Sequence, residues 1–354
     1  MMTSADHRRI TLADVALGCG VSRATVSLVL RGSPLVHAET RARVEAELKR
    51  QGYVYNRGAA NLRRKVSSGV ALVINDLSNP FFAEFAAGVD EALATAGYVT
   101  LLGSTGESVE RQRAVLASLL EHDPAGIILS PAEGSDGEQL RSLIGARTPV
   151  LVFNRELQAR TGDASWDFLS LDNVRGAQLA TGHLLERGHR RIAFFGGHRD
   201  SSSCRQRREG YRAALSEAGI TPEPQWLVEC APTRLEAARQ VSALFVRDPA
   251  PTAAVCYNDA VALGLMAGLA ALGRRAGQDF AVVGFDDIPE ATVSAPPLTT
   301  VAVDPRARGR QAAELILQRL RDPDAAPHRT VATVQLHVRA SSDVLPASLP
   351  GATP

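Results

Sequence analysis

The chain has 354 residues, 45% of them hydrophobic and 5% aromatic, and a formal net charge of +1. That length exceeds what one hydrophobic core serves comfortably, so several domains of ordinary α/β composition are expected. The polar start from Met1 to Arg9, and apolar runs that all fall short of the ~18 residues of a membrane span, argue against a leader or membrane association and for a cytoplasmic location.

The charge is unevenly placed. Residues 1–65 hold 12 Lys/Arg against 5 Asp/Glu, whereas the remainder holds 27 against 33. Such segregation reads either as a basic module for a polyanion or as a solvated basic arm. Cys19, Cys204, Cys230 and Cys256 stand far apart, which indicates neither a disulfide framework nor a zinc site. No metal or cofactor is expected.

Within the basic segment, Thr11-Leu12-Ala13-Asp14 has the form of a capping box, and Leu12, Val15, Ala16 and Cys19 follow at helical spacing. Gly20 can supply the positive φ that reverses the chain. Ser22 then caps a second helix with Val26, Val29 and Leu30 inward and Arg23, Ala24, Ser27 and Leu28 outward. A third helix is predicted from about Ala38 to Gln51, with Thr40, Val44 and Leu48 spaced by four to close the core. A tight turn between the first two helices makes them cross steeply and frees the outer side of the second for a major groove.

These residues resemble the lac-repressor (LacI/GalR) family almost position for position: Thr11 to Ala16, Gly20 to Ser27, Thr40 to Val44, Gly52-Tyr53 and Asn56-Arg57. The resemblance implies a sequence-specific DNA-binding transcription regulator, most simply a repressor. It puts Arg23, Ala24 and Leu28 at base edges and Ser22 and Thr25 on phosphates, with Thr11, Ser27 and Arg31 also at the DNA. Two positions depart from the family pattern, which favours arginine where Leu28 stands and asparagine where Arg31 stands. Leu28 cannot make a bidentate contact to guanine but can pack on a thymine methyl.

Residues 55–66 are expected to be a hinge. Asn56 can cap a helix of under two turns, too short to persist alone in water. The resemblance implies that this segment becomes a helix on DNA, pairs with its dimer mate and drives Leu62 between base pairs, with Asn56 and Arg57 alongside. Tyr55 replaces a proline that is common in the family.

From Gly69 the pattern alternates. The run Val70 to Ile74 predicts a parallel strand buried on both faces. Helix Phe81–Ala96, strand Val99–Leu102, helix Val109–Glu121, strand Gly126–Leu129, helix Gly137–Ile144 and strand Val150–Phe153 follow. A second series comprises helix Val174–Arg187, strand Arg191–Phe195, helices Arg205–Ala218 and Arg234–Phe245, strand Ala253–Tyr257, helix Ala260–Leu272 and strand Phe280–Gly284. Helix Pro305–Arg321 and strand Val331–Val338 are expected to return to the first and second lobes respectively. The predicted class is an all-α head (1–54) on an α/β sensor (67–345) of two doubly wound parallel-sheet lobes. Lobe 1 is expected over about 69–168 and 300–325, lobe 2 over about 170–297 and 328–343, and a Ser/Pro/Ala-rich tail over 346–354.

The resemblance extends here through Asn79-Pro80-Phe81-Phe82, Gly188 to Ile192, Asn258 to Ala262, Val283 to Asp287 and Pro297 to Thr300, and implies a periplasmic-binding-protein-like fold. Ligands in open α/β sheets sit beyond the carboxyl ends of strands. Candidate effector residues are Phe81 and Phe82, as an apolar wall or as core; Asn154 and Arg155, ending a strand; and Asn258 and Asp286, as hydroxyl partners or as ordinary caps. Ser203 and Arg207 match family positions that reach the ligand, although Arg207 could equally be a surface ion pair. Planar polar groups with one apolar wall suit a sugar, and the concentration of Arg155, Arg205 and Arg207 leaves a sugar acid or sugar phosphate open.

An enzyme is the rival from another class, but no Walker A or G-x-S-x-G sequence is present. Gly18-Cys19-Gly20 begins like a dinucleotide fingerprint, yet Arg23 replaces its third glycine and no strand precedes it. A solute-binding protein without DNA function is the third reading. One head reads too few base pairs for useful specificity, so a homodimer on a pseudo-palindromic double-stranded operator is expected. The tail carries no heptad repeat for a tetramer.

Overall fold

The computed structural model describes residues 10–30, 32–53, 67–157, 166–246 and 248–345. Two compact units divide the chain at residues 66 and 67.

The first unit is a three-helix core of α1 (Leu12–Cys19), α2 (Arg23–Leu30) and α3 (Ala38–Gln51). Its capping box forms as expected: the Asp14 amide donates to the Thr11 hydroxyl at 3.4 Å while the Thr11 amide donates to the Asp14 carboxylate at 2.8 Å. Gly20 stands at φ 63°, and α1 and α2 meet at 104°. That angle is the steep crossing a short turn imposes. Val15, Ala16, Cys19, Val26, Val29 and Val44 form the buried centre.

The second unit contains two six-stranded sheets. The first, in the order β11-β5-β4-β3-β1-β2, joins β1 (Gly69–Ile74), β2 (Val99–Ser104), β3 (Gly126–Leu129), β4 (Val150–Phe153), β5 (Asp167–Leu171) and β11 (Arg329–Ala332), all parallel. The second, in the order β12-β10-β9-β8-β6-β7, joins β6 (Ile192–Phe195), β7 (Leu227–Val228), β8 (Ala253–Cys256), β9 (Ala281–Asp286), β10 (Thr299–Ala302) and β12 (Gln335–His337), with only β12 antiparallel. Continuous burial of β1, β3, β4, β8 and β9 follows from helices covering both faces. Those helices are α4 (Pro80–Thr95), α5 (Val109–Leu120), α6 (Gly137–Ile144), α7 (Asn173–Glu186), α8 (Ser202–Glu217), α9 (Arg234–Gln240), α10 (Asp259–Ala271), the short α11 (Pro289–Val293) and α12 (Pro305–Arg321).

The chain crosses between lobes three times, near residues 172, 303–304 and 333–334. The expected lobe limits are corrected accordingly. Lobe 1 runs to Leu171, because β5 pairs β4; residues 299–302 belong to lobe 2, because β10 pairs β9; and residues 329–332 belong to lobe 1, because β11 pairs β5. The single strand expected over Val331–Val338 is thus two short strands in different sheets. The helix expected over Arg234–Phe245 ends at Gln240 and tightens into a 3-10 turn over Val241–Phe245.

Candidate functional site

On the head, Ser22, Arg23 and Ala24 are exposed at the start of α2, with Thr25, Ser27 and Leu28 half-buried beside them. The Ser22 hydroxyl caps α2 by accepting from the Thr25 amide at 3.0 Å and lies 2.9 Å from the Thr25 hydroxyl. Thr11 is engaged in its own capping box, its hydroxyl donating to Asp14 at 2.6 Å. Arg41 ties down the turn after α2 by donating to the Ser33 carbonyl at 2.5 Å. The candidates Arg31, Asn56, Arg57 and Leu62 lie outside the described residues.

In the second unit, a cavity of about 360 Å³ opens between the lobes. It lies where the strands end: Asp76 follows β1, Asn154 and Arg155 follow β4, Tyr257 and Asn258 follow β8, and Asp286 closes β9. This is the position that a doubly wound sheet reserves for ligands.

Seven of the eight effector candidates line it: Phe81, Phe82, Asn154, Arg155, Arg207, Asn258 and Asp286. The two readings of Phe81 and Phe82 merge, since both are almost fully buried yet present ring surface to the cleft. The rings meet edge to face at 5.0 Å, and Phe81 lies parallel to the core ring of Phe153 at 6.1 Å. Asn258 likewise serves two ends. Its Oδ1 caps α10 by accepting from the Val261 amide at 2.9 Å, which leaves its NH2 group for a ligand. Asn154 holds φ 66°, and its Oδ1 is buried without a hydrogen-bond partner. A buried orphan acceptor at a cleft is a group that a ligand hydroxyl would satisfy.

Arg207 is 3% exposed rather than on the surface. Its Nε donates to Asn173 at 2.9 Å, Nη1 donates to the Tyr257 carbonyl, and Nη2 stands 3.8 Å from Asp286. The guanidinium lies 3.6 Å above the Phe285 ring centre and 4.9 Å from that of Tyr257, so two rings hold it. Burial pushes the Asp286 carboxyl well above the usual carboxylate range, with Arg207 opposing and Asp259 adding to the rise. Behind it, the buried Asp259 accepts from the Thr300 hydroxyl at 2.5 Å and the Ile288 amide at 2.9 Å, and burial pushes it to about 6.

Ser203 does not line the cavity. It is fully buried, with its hydroxyl 2.9 Å from the Tyr257 hydroxyl and 3.0 Å from Ser201. Its place is therefore behind Tyr257, holding that ring's polar end. Arg205 is exposed and donates at 2.5 Å to the Asp200 carbonyl, outside this lining. Sequence reasoning missed Asp76, Glu107, His198, Thr233 and Tyr257. The signal for Tyr257 was present, since it immediately follows β8; Glu107 comes from a turn after the exposed edge strand β2, where no strand-end pattern marks it. Among the described residues no group of three His, Cys, Asp or Glu could hold a metal ion, and no single helix is long and apolar enough to cross a membrane.

A helix-turn-helix unit and a two-lobed α/β unit with a polar cleft, on one polypeptide, define a DNA-binding regulator that senses a small molecule. Residues 11–56 match the family model for bacterial regulatory proteins of the lacI family, and residues 181–342 match the periplasmic binding protein-like domain. The maltose regulon regulatory protein MalI of Escherichia coli K12 is 34% identical over 325 residues, covering 89% of this chain and 94% of MalI. The chain belongs to the LacI family of transcription regulators.

Solved structures agree over most of the chain. The lac repressor dimer bound to operator and the anti-inducer ONPF superposes with a TM-score of 0.83 at 27% identity, covering 94% of this chain and 99% of that one. The complex of the transcriptional regulator CelR with cellobiose gives a TM-score of 0.69 at 32% identity, covering 94% and 100%.

Proposed function

We propose that this protein is a cytoplasmic transcriptional repressor that binds a pseudo-palindromic operator as a homodimer, and that a sugar or sugar derivative in the interlobe cleft sets its affinity for that operator. The observation that carries the reading is the pairing, in one chain, of an exposed Ser22-Arg23-Ala24 face on a steeply crossed helix with a cleft of stacked guanidinium, amide and carboxyl groups beside an aromatic wall. Planar polar groups serve the alternating donors and acceptors of a polyol, and the Phe81–Phe82 corner serves its apolar face. The cellobiose complex of CelR supports the same ligand class.

On the DNA side, Arg23, Ala24 and Leu28 read base edges while Ser22, Thr25 and Ser27 hold the backbone. Arg31, Asn56 and Arg57 add charge or polar contacts, and Leu62 is the minor-groove wedge. Because an apolar Leu28 favours a thymine methyl over guanine, the preferred half-site carries thymine at the base pair it meets.

A mobility-shift titration of the full chain on DNA from upstream of its own gene tests this. The expected result is a discrete complex that scrambled duplexes of the same length do not compete for, and that weakens steeply with salt. Equal, feeble retention on every duplex would overturn the reading.

A further inference from the structure

The cationic residues near the cleft left the charge of the ligand open between a neutral sugar and its acid or phosphate ester. We propose that the cleft takes an uncharged polyhydroxylated ligand and turns away the carboxylate and phosphate forms of the same skeleton, because each of its arginines is already matched by a carboxyl group. The inference rests on the sugar reading above and sharpens it.

Arg155 is the residue that decides. Its side chain is 6% exposed, and Nη1 donates to Glu107 Oε2 at 2.6 Å while Nη2 stands 3.7 Å from Glu133 Oε1. Glu107 is itself fixed, because the buried Asn75 amide donates to the same oxygen at 3.2 Å. Asn75 in turn donates to the Pro131 carbonyl at 3.0 Å and accepts from the Ser130 hydroxyl, so the bracket holding Glu107 is anchored in the lobe 1 core. Burial works against the charge of Arg155, yet Tyr257 and Glu107 hold its pKa above the usual arginine value.

Arg207 is matched by Asp286 and by two neutral acceptors, as described above. His198, the remaining basic group on the lining, stands 3.9 Å from Glu229. Against the two guanidiniums the cleft and its immediate backing set four carboxyl groups: Asp76, Glu107, Glu133 and Asp286. Burial raises the pKa of the Glu133 and Asp286 carboxyls, while Glu107 remains the close partner of Arg155 at 2.6 Å. Each guanidinium thus already faces a carboxyl group of the protein, most closely Arg155. An entering carboxylate or phosphate would have to break a fixed, partly buried ion pair and then sit beside the displaced carboxylate, whereas a neutral hydroxyl needs only an acceptor or a donor.

The test uses matched ligands on the full-length protein, read by melting temperature and calorimetry: glucose with glucuronate and glucose 6-phosphate, ribose with ribose 5-phosphate, and cellobiose with cellobionate. Wherever a neutral member binds, its charged partner should bind at least about tenfold more weakly, a gap of about 1.4 kcal/mol. Glu107→Gln keeps the shape of the bracket but frees the Arg155 charge, and should narrow that gap by about tenfold; Glu133→Gln should act in the same direction but less, given its longer contact. A charged partner that binds wild type as tightly as its neutral parent overturns the proposal.

A second arm separates this claim from the sugar reading. Inorganic phosphate, compared with chloride at equal ionic strength, should leave the wild-type melting temperature unchanged and raise that of Glu107→Gln. A wild-type rise that Arg155→Gln abolishes, or a folded Glu107→Gln protein that ignores phosphate, overturns the charge argument whatever sugars do. Silence of every sugar, neutral and charged, with phosphate behaving as expected, sinks the sugar reading and leaves the exclusion of anions standing.

Discussion

Asp259 and Asp286 are side chains whose chemistry is set by burial rather than by type. For Asp259 the sign of the pH dependence follows from the direction of its shift. A carboxyl raised from 3.8 to about 6 in the folded state binds its proton more tightly there than when unfolded. Its contribution to stability is therefore fully present below pH 3.8, declines as the pH rises towards about 6, and is level above that. The difference in unfolding free energy between wild type and Asp259→Asn should fall across that window by an amount of the order of 3 kcal/mol. A difference that stays flat from acid to neutral pH in urea titrations would count against the assignment. The aspartate is visible in the sequence, in Asn258-Asp259-Ala260, but its burial is not. Only the fold brings Thr300 of β10 and Ile288, just past β9, around it.

Among the elements, the α4–α12 pair shows how a helix contact can hinge on two missing side chains, one on each helix. A Cβ at Gly309 would lie 2.1 Å from the Phe85 carbonyl oxygen, and one at Gly88 would lie 2.0 Å from that of Arg306. Backbone meets backbone there, so no rotamer change relieves the clash. Gly309→Ala should destabilise lobe 1 by about 1–3 kcal/mol in chemical denaturation. Arg310→Ala, which removes only a half-exposed pairing with Glu91 at 3.3 Å, should change stability by less than about 1 kcal/mol. Equal effects would mean that the ion pairs, rather than the close approach, hold the helices together. The helices themselves were legible within a residue or two from apolar spacing, and their partnership was not: α4 and α12 are more than two hundred residues apart in the chain. For the same reason β5 and β10 escaped the sequence reading and β11 was read as the start of one longer strand. Each is four or five residues long and becomes a strand only because a distant neighbour offers a ladder.

For the whole molecule, the decisive quantity is the coupling between cleft and head. If the effector alters operator affinity by some factor, the operator must alter effector affinity by the same factor. Measured by calorimetry with and without operator duplex, effector affinity should differ by about 5- to 150-fold, and by an amount equal to the shift seen in DNA binding. Equal effector affinities in both settings would remove allosteric control while leaving separate DNA and ligand binding intact. The two lobes are joined by three chain crossings, the kind of connection about which hinge motions turn.

The linear chain alone determined the order of functions: a basic three-helix head, a short connecting segment, then a two-sheet sensor with its polar candidates at strand ends. It could do so because capping boxes, helical spacing and buried strand runs are local patterns, carried by residues a few positions apart. What only tertiary structure decided was partnership. It drew Arg207 inward against two rings, set Ser203 behind Tyr257 instead of in the cleft, and matched Arg155 to Glu107 and Glu133. Those pairings join residues from different elements far apart in the chain, and burial sets the energy of each. Neither burial nor distant contact is written in any one stretch of the chain.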